Sequence, residues 1–237
     1  MARSDPRRMP RFSVIVPSLD EEERIEAALS AARTALGGEV ELLVADGGST
    51  DATRTRAASL ASVISSPPGR GAQLNAGAAA AHGEILLFLH ADTLLEEGAG
   101  KRIRERLRDP AVVGGCCRFA VLPPAPPFSR YGLLEAAVNL RTRLFHTATG
   151  DQAIFARREA FERAGGFPEY PLFEDVAFVR RLRSIGRFAP TSAVARTSRR
   201  RWERRGFWRT VLLHWGLRLA FWIGVSPARL GTWYTRR

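Results

Sequence analysis

Apolar residues in this chain fall into short continuous runs separated by longer stretches of helical character. Residues 12–16, 40–45, 61–65 and 85–89 are each rich in Val, Ile, Leu or Phe and close on polar or glycine-rich turns, so they read as strands. The run 85–89 is apolar throughout, the pattern of a strand buried on both faces. Between these runs, 21–36, 51–59, 73–81 and 98–107 read as helices, the first closed by Gly37-Gly38. Residues 112–119 read as a further strand, 122–127 as a rigid proline-rich loop and 131–145 as an amphipathic helix. Strands alternating with helices imply right-handed crossovers and a mainly parallel, Rossmann-like sheet flanked by helices. No internal repeat and no second domain are visible.

The turns at the ends of the strands carry the chemistry. The run 85–89 stops at His90-Ala91-Asp92. Open α/β sheets bind ligands at the carboxyl ends of their strands, and a carboxylate there suits a hard divalent cation, Mg²⁺ or Mn²⁺, held against nucleotide phosphates. The run 40–45 ends in Asp46-Gly47-Gly48-Ser49-Thr50-Asp51, a tight turn that precedes a helix. The run 12–16 ends in Pro17-Ser18-Leu19-Asp20-Glu21-Glu22, an acidic turn that favours a helix start. Any one such turn is ordinary capping; three in the same register predict a shared site. Arg70 lies in a glycine-flanked loop ahead of a helix, an arrangement suited either to an anion or to plain solvation. Glu174 and Asp175 read either as a helix N-cap pair or as carboxylates of which either could serve as a general base.

These segments together resemble the family 2 glycosyltransferases of the inverting GT-A type. Ser13-Val14-Ile15-Val16-Pro17-Ser18-Leu19-Asp20-Glu21-Glu22 resembles the family's opening strand and acidic turn, with Asp20 in place of Asn. Val44-Ala45-Asp46-Gly47-Gly48-Ser49-Thr50-Asp51 resembles its Val-Asp-Asp-Gly-Ser-x-Asp loop, with Gly47 where a second acid often stands. Phe88-Leu89-His90-Ala91-Asp92 resembles its Asp-x-Asp metal motif. Gly165-Gly166-Phe167 and Phe173-Glu174-Asp175-Val176 resemble the segment that carries the catalytic base. His-Ala-Asp and a basic aromatic tail are similar to a branch often labelled arsenosugar-biosynthesis glycosyltransferase. The resemblance implies a metal-dependent inverting transfer from a nucleotide-diphosphate sugar, a UDP-sugar first, to an acceptor hydroxyl. It implies Asp175 as general base with Glu174 beside it, Asp92 and His90 at the metal, and Asp46 on the nucleobase or ribose. Pro17, Asp20, Glu21, Gly48, Ser49 and Ala91 fall on the donor side. Arg70, Gln73 and Asn75 are expected beside the nucleotide, and Gly150 and Asp151 on the donor-sugar and acceptor side. His90 in place of an acid suits Mn²⁺ better than Mg²⁺; its other reading is a hydrogen bond to phosphate or sugar.

At 237 residues with 45% hydrophobic content, the chain fits one globular domain. The only cysteines, Cys116 and Cys117, are adjacent and ill-placed for a disulfide, which suits a reducing cytosol. Residues 1–11 are polar and basic and read as a frayed leader without a secretory signal, with the catalytic domain over 12–195. The remainder, 196–237, holds eleven arginines and one acid, Glu203, and so ten of the chain's twelve net positive charges. It also holds Trp202, Phe207, Trp208, Trp215, Phe221, Trp222, Trp233 and Tyr234. Its apolar stretch 211–225 contains His214 and Arg218 and falls short of the ~20 apolar residues of a membrane span. The tail reads either as a helix on an anionic membrane, peripheral to its inner face, or as a helix packed on the domain.

Other classes fit less well. A basic aromatic tail suits nucleic acid, but no nucleic-acid-binding motif accompanies it and the rest of the chain is near neutral. A nucleotidyltransferase calls for a Gly-rich basic loop after the first strand, where this chain has an acidic turn. No Gly-x-Gly-x-x-Gly supports a dinucleotide oxidoreductase. A non-catalytic nucleotide-sugar-binding or membrane scaffold remains the alternative, and Glu174-Asp175 weigh against it.

Overall fold

The computed structural model describes residues 11–38 and 40–235, so the leader expected over 1–11 lies almost wholly outside the described residues. Ten strands alternate with ten α-helices among them. In chain order they are β1 (Phe12–Ser18), α1 (Ile25–Leu36), β2 (Val40–Asp46), α2 (Thr53–Ala58), β3 (Ser62–Ser65), α3 (Arg70–Ala80) and β4 (Ile85–Phe88). Then come β5 (Thr93–Leu95), α4 (Ala99–Arg106), β6 (Val112–Cys116), β7 (Arg118–Leu122) and α5 (Arg130–Phe145). A 3-10 turn at Gly150–Gln152 leads to β8 (Ile154–Arg157), α6 (Arg158–Arg163), α7 (Glu174–Ile185), β9 (Arg187–Phe188) and β10 (Val194–Ser198). The chain closes with α8 (Arg200–Arg205), α9 (Phe207–Trp222) and α10 (Pro227–Thr235).

Seven strands form the main sheet in the order β3-β2-β1-β4-β8-β6-β9. The half from β3 to β4 is parallel, while β8 runs antiparallel to both neighbours. The apolar runs behave as strands buried on both faces. In β4, Ile85 and Leu87 enter one core with α1, and Leu86 and Phe88 enter the other with Phe161, Phe167 and Phe178. β1 divides likewise, Val14 and Val16 to the first core and Ile15 to the second. The small-residue composition of α3 has a packing reason. A Cβ on Gly77 would sit 2.4 Å from Ile15 Cγ2, so only glycine lets the helix rest on β1 at this depth.

Three expectations are corrected. Residues 112–119 are not one strand: β6 ends at Cys116, and β7 pairs in a second, three-stranded sheet of order β5-β10-β7. Cys117 N–H bonds Gln152 O and Arg118 N–H bonds Ala193 O, so the backbone changes partners at this step. A domain boundary at 195/196 cuts β10, whose Arg196 and Thr197 pair with Leu94 and Thr93. Arg70 is the first residue of α3, not a loop residue. Both cysteines are free and buried, as their adjacency implied.

The C-terminal helices pack on the domain. Trp202 and Phe207 join Phe119, Val121 and Tyr131 in one cluster. Leu217 and Leu230 cover Phe173 in another. No helix among the described residues is long and apolar enough to cross a membrane.

Candidate active site

The carboxyl ends of β1, β2 and β4 deliver the three acidic turns to one edge. Gly47 N–H bonds Ser18 O, tying the second turn to the first. Asp20, at φ 52, accepts from Thr50 N–H at 2.8 Å while its own N–H donates to Ser49 Oγ at 3.0 Å. Asp46 is fully buried. It accepts from the N–H groups of Gly48 and Ser49, both at 3.1 Å, from Ser49 Oγ at 2.5 Å and from Arg54 at 3.1 Å. Burial pushes its carboxyl up, but these donors outweigh it and hold it below the usual carboxylate range. Gly48 takes φ 99, which opens the loop around this carboxylate. Pro17 lies within β1, beside the edge.

Asp92 sits where the two sheets meet. β5 begins at the next residue, and Ser198 N–H bonds Asp92 O. Its carboxylate meets only hydroxyls, Thr93 at 3.4 Å and Thr197 at 3.5 Å, and forms no ion pair among the described residues. Glu21 lies within its field. Burial raises the Glu21 carboxyl, Arg200 pulls it down, and Asp92 pushes it up again. The Glu21–Arg200 pair, at 3.4 Å, brings the C-terminal region to the first acidic turn. Ala91 is buried beneath this edge.

Among the described residues no three His, Cys, Asp or Glu side chains converge as a preformed metal cage. The fit is therefore to an ion that takes few protein ligands. Mg²⁺ and Mn²⁺ in nucleotide sites use one or two carboxylates and draw the rest from phosphate and water, and Asp92 has oxygens open for that purpose. His90 is held neutral by burial, with Arg70 and Arg201 adding to the effect. A neutral imidazole is the form that can ligate.

The catalytic candidates are Glu174 and Asp175. Phe173, at φ 67, turns the chain into α7, so Glu174 and Asp175 occupy its first turn rather than its cap. Both are buried. Asp175 Oδ2 accepts from Gly150 N–H at 2.7 Å and Oδ1 from Val176 N–H at 2.7 Å. Burial lifts its carboxyl above the usual range despite these bonds. Glu174 is pushed up to about 7, first by burial and then by Asp175, against the pull of Arg70. Arg70 Nη1 reaches Glu174 Oε1 at 3.3 Å. Gly150 packs against His90 so closely that a Cβ would sit 2.3 Å from Nε2. Asp151 accepts from Thr149 Oγ1 at 2.5 Å.

Two residues expected at the nucleotide have other work. Gln73 Nε2 donates to Ser18 O at 2.8 Å and Ala45 O at 2.9 Å, stapling the ends of β1 and β2 together. Asn75 exchanges hydrogen bonds with Phe167 N–H and O at 2.9 and 2.8 Å. Gln73 thus holds two of the acidic turns together, and Asn75 holds α3 to the Phe167 segment. Conversely, the sequence pattern assigns no site role to Arg141, Arg200, His214 and Arg218. Burial lowers His214 to about 4, with Arg201 and Arg218 adding to it. The charge of Arg218 is felt at Asp175 and Asp151, as is that of Arg141. These arginines stand in a sequence crowded with arginine, and only the fold separates them from the rest.

A family model described as "Glycosyl transferase family 2" matches residues 13–165. Glucosyl-3-phosphoglycerate synthase of Mycolicibacterium smegmatis is 39% identical over 93 residues, covering 35% of this chain and 31% of that protein. The match thus spans about a third of that relative's length. Among solved structures, a mannosyltransferase from Pyrobaculum calidifontis in complex with GDP-Man and Mn²⁺ superposes with a TM-score of 0.66 at 25% identity, covering 91% of this chain and 62% of that one. Glucosyl-3-phosphoglycerate synthase from Mycobacterium tuberculosis, in complex with Mn²⁺, UDP and glucosyl-3-phosphoglycerate, gives 0.54 at 22% identity, covering 80% and 70%.

Proposed function

Because the chain belongs to glycosyl transferase family 2 and carries its GT-A fold, we propose that it transfers a sugar from a nucleotide-diphosphate donor to an acceptor hydroxyl with inversion. A UDP-sugar is the first donor to try. The observation that carries this reading is the arrangement around Asp175: a buried carboxylate of raised pKa, held by the N–H of Gly150, which itself packs against His90 of the turn that ends in Asp92.

Asp175 takes the proton from the acceptor hydroxyl as its oxygen attacks the anomeric carbon, opposite the departing nucleotide diphosphate. A raised pKa makes it a stronger base than a surface carboxylate, and burial keeps competing water away. Glu174, paired with Arg70, is the other carboxylate within this group, and its own carboxyl is raised by burial and by Asp175. Asp46, with Gly48 and Ser49, receives the nucleoside, and Pro17, Asp20, Glu21 and Ala91 shape the donor side. Asp92, with His90 nearby, would hold Mn²⁺ or Mg²⁺. When bound, the ion offsets charge on the leaving diphosphate. Gly150 and Asp151 line the acceptor side.

The acceptor we propose is anionic. Arg141 and Arg218 direct positive charge at Asp151 and Asp175, and the curated relatives are named for 3-phosphoglycerate. A phosphorylated small molecule and a phosphate-linked lipid share this chemistry. The proposal extends to a place at the inner face of a membrane, supported by the ten net positive charges and the aromatic residues of 196–237. The test is transfer from UDP- and GDP-sugars with Mn²⁺ or Mg²⁺. Asp175→Asn is expected to abolish turnover while donor binding persists; near-normal turnover by that variant would remove the base assignment.

A further inference from the structure

Helices α5 and α9 meet at both ends through aromatic side chains. Tyr131 and Phe207, near the start of each, meet with ring centroids 5.1 Å apart, and Phe145 and Trp222, at their ends, meet at 5.9 Å. Leu134 and Val138 of α5 and Val211 of α9 pack in the same cluster between them. Each helix has sixteen residues, so the pair is about 24 Å long.

Their outward faces are apolar. On α9, Trp208, Leu212, Trp215, Leu219 and Trp222 recur at steps of four and three, one stripe of a helix, and each is 58–69% exposed. On α5, Leu133, Ala137, Leu140 and Leu144 form the equivalent stripe, with the three leucines 56–63% exposed. Single exposed apolar residues are common, but two parallel stripes form a continuous patch that marks a docking site. The two stripes explain why neither helix shows a clear polar side: each has core on one face and this patch on the other.

The charges beside the patch are predominantly positive, and the exposed acid of the neighbouring α8, Glu203, is paired with Arg199 at 2.6 Å. α9 carries no acid, and the one acid of α5, Glu135, is spent on Val121 N–H at 2.8 Å. Arg143 and Arg209 are exposed on the same two helices, and Arg204, Arg205 and Arg229 on their neighbours. A second copy of the chain would bring arginine against arginine. An anionic bilayer would meet the arginines with lipid phosphates and receive the leucines below them, with tryptophan at the headgroup level it favours.

We propose that α5 and α9 together form a face that docks on an anionic lipid bilayer. This rests on the membrane-surface reading of the C-terminal region and deepens it, because half of the face comes from α5, inside the catalytic domain. The C-terminal end of α5 leads through residues 146–149 to Gly150 and its bond to Asp175. Docking therefore sets the acceptor side of the site next to lipid.

The test is flotation of the full chain with phosphatidylcholine vesicles and with mixed phosphatidylcholine–phosphatidylglycerol vesicles. The wild type is expected to float with the mixed vesicles only. The pair Leu140→Glu and Leu144→Glu on α5, and separately Trp215→Glu and Leu219→Glu on α9, are each expected to weaken binding on the order of tenfold or more. Thermal melts should show both variants folded, since the positions are solvent-exposed. If the α5 variant floats like the wild type and only the α9 variant is lost, the composite face is wrong and the tail reading survives. If the wild type never floats, both fail. If light scattering shows a dimer that the α5 substitutions split, and vesicles bind neither form, the occupant is a second copy and the lipid assignment is overturned. Donor turnover in detergent-free solution, measured on the same variants, reports on the transferase reading separately.

Discussion

Gly150 donates its backbone N–H to Asp175 Oδ2 at 2.7 Å while its Cα faces His90 Nε2, with room for no further carbon. The turn at Gly150–Gln152 thus couples the candidate base to the candidate metal motif. Substituting Gly150→Ala forces a Cβ to within 2.3 Å of the imidazole unless the turn moves. Misplacement of a reacting group by an ångström costs on the order of a hundredfold in rate. Turnover should fall by about that factor in a protein whose circular dichroism is unchanged; an alanine variant of normal rate would break the coupling.

The raised Glu174 carboxyl predicts a pH-dependent stability. Its folded pKa, about 7, lies above the ordinary value of 4.5. Folding therefore favours the protonated form, so its stabilising contribution is complete below about 4.5 and is lost as pH rises through about 7. Urea midpoints of the ligand-free wild type, compared with Glu174→Gln, should show the difference between the two drifting against the wild type across that window. A difference independent of pH would mean that Glu174 does not titrate there.

Asp46 predicts the opposite slope. Its carboxyl is held low by the donors from Ser49, Arg54 and Gly48. Its contribution is present above the unfolded value of 3.8 and disappears as pH falls through the lower folded one. Asp46→Ala leaves these donors unmet and should cost about 2 kcal/mol at neutral pH, with weakened nucleotide binding. Chemical denaturation at pH 7 and calorimetric titration with UDP check the two effects.

Gln73 and Asn75 separate positioning from contact. Asn75→Ala breaks both bonds to Phe167, and Gln73→Ala breaks the staple between β1 and β2. Each should lower stability by about 1–3 kcal/mol. If these side chains only position the turns, donor KM should follow the loss of fold rather than exceed it. A large KM effect in a variant of near-normal stability would restore the direct nucleotide contact.

The legible part of the fold was its parallel half. Continuous apolar runs such as Ile85–Phe88 permit only a strand covered on both faces, and each ends where the sheet places its ligands. The second sheet was hidden for physical reasons. Thr93–Leu95 is too short to show a period, the chain changes sheet at 116–118 without a turn residue there, and Val194–Ser198 runs into a block of arginines. That sheet is what sets Asp92 beside Thr197. The acidic turns were visible because carboxylates after buried strands need a reason. Gln73 and Asn75 read as ligand contacts because their type suits a nucleotide; the backbone partners they hold in the fold are groups that no sequence pattern displays. Arg200 and Arg218 gain distinct positions only when α8 and α9 bring them to Glu21 and to the neighbourhood of Asp175.

A metal-assisted nucleotide-sugar site built on Asp92 stands or falls on thermal stability with UDP, GDP and their sugars. Each ligand is added with and without Mn²⁺, to the wild type and to Asp92→Ala. A ligand that binds only the folded state adds about 2.7 kcal/mol at a hundredfold excess over its Kd. With such a site, a nucleotide raises the melting temperature of the wild type in a Mn²⁺-dependent way, and Asp92→Ala loses that dependence. No rise with any nucleotide, or a rise equally Mn²⁺-dependent in both proteins, would refute it.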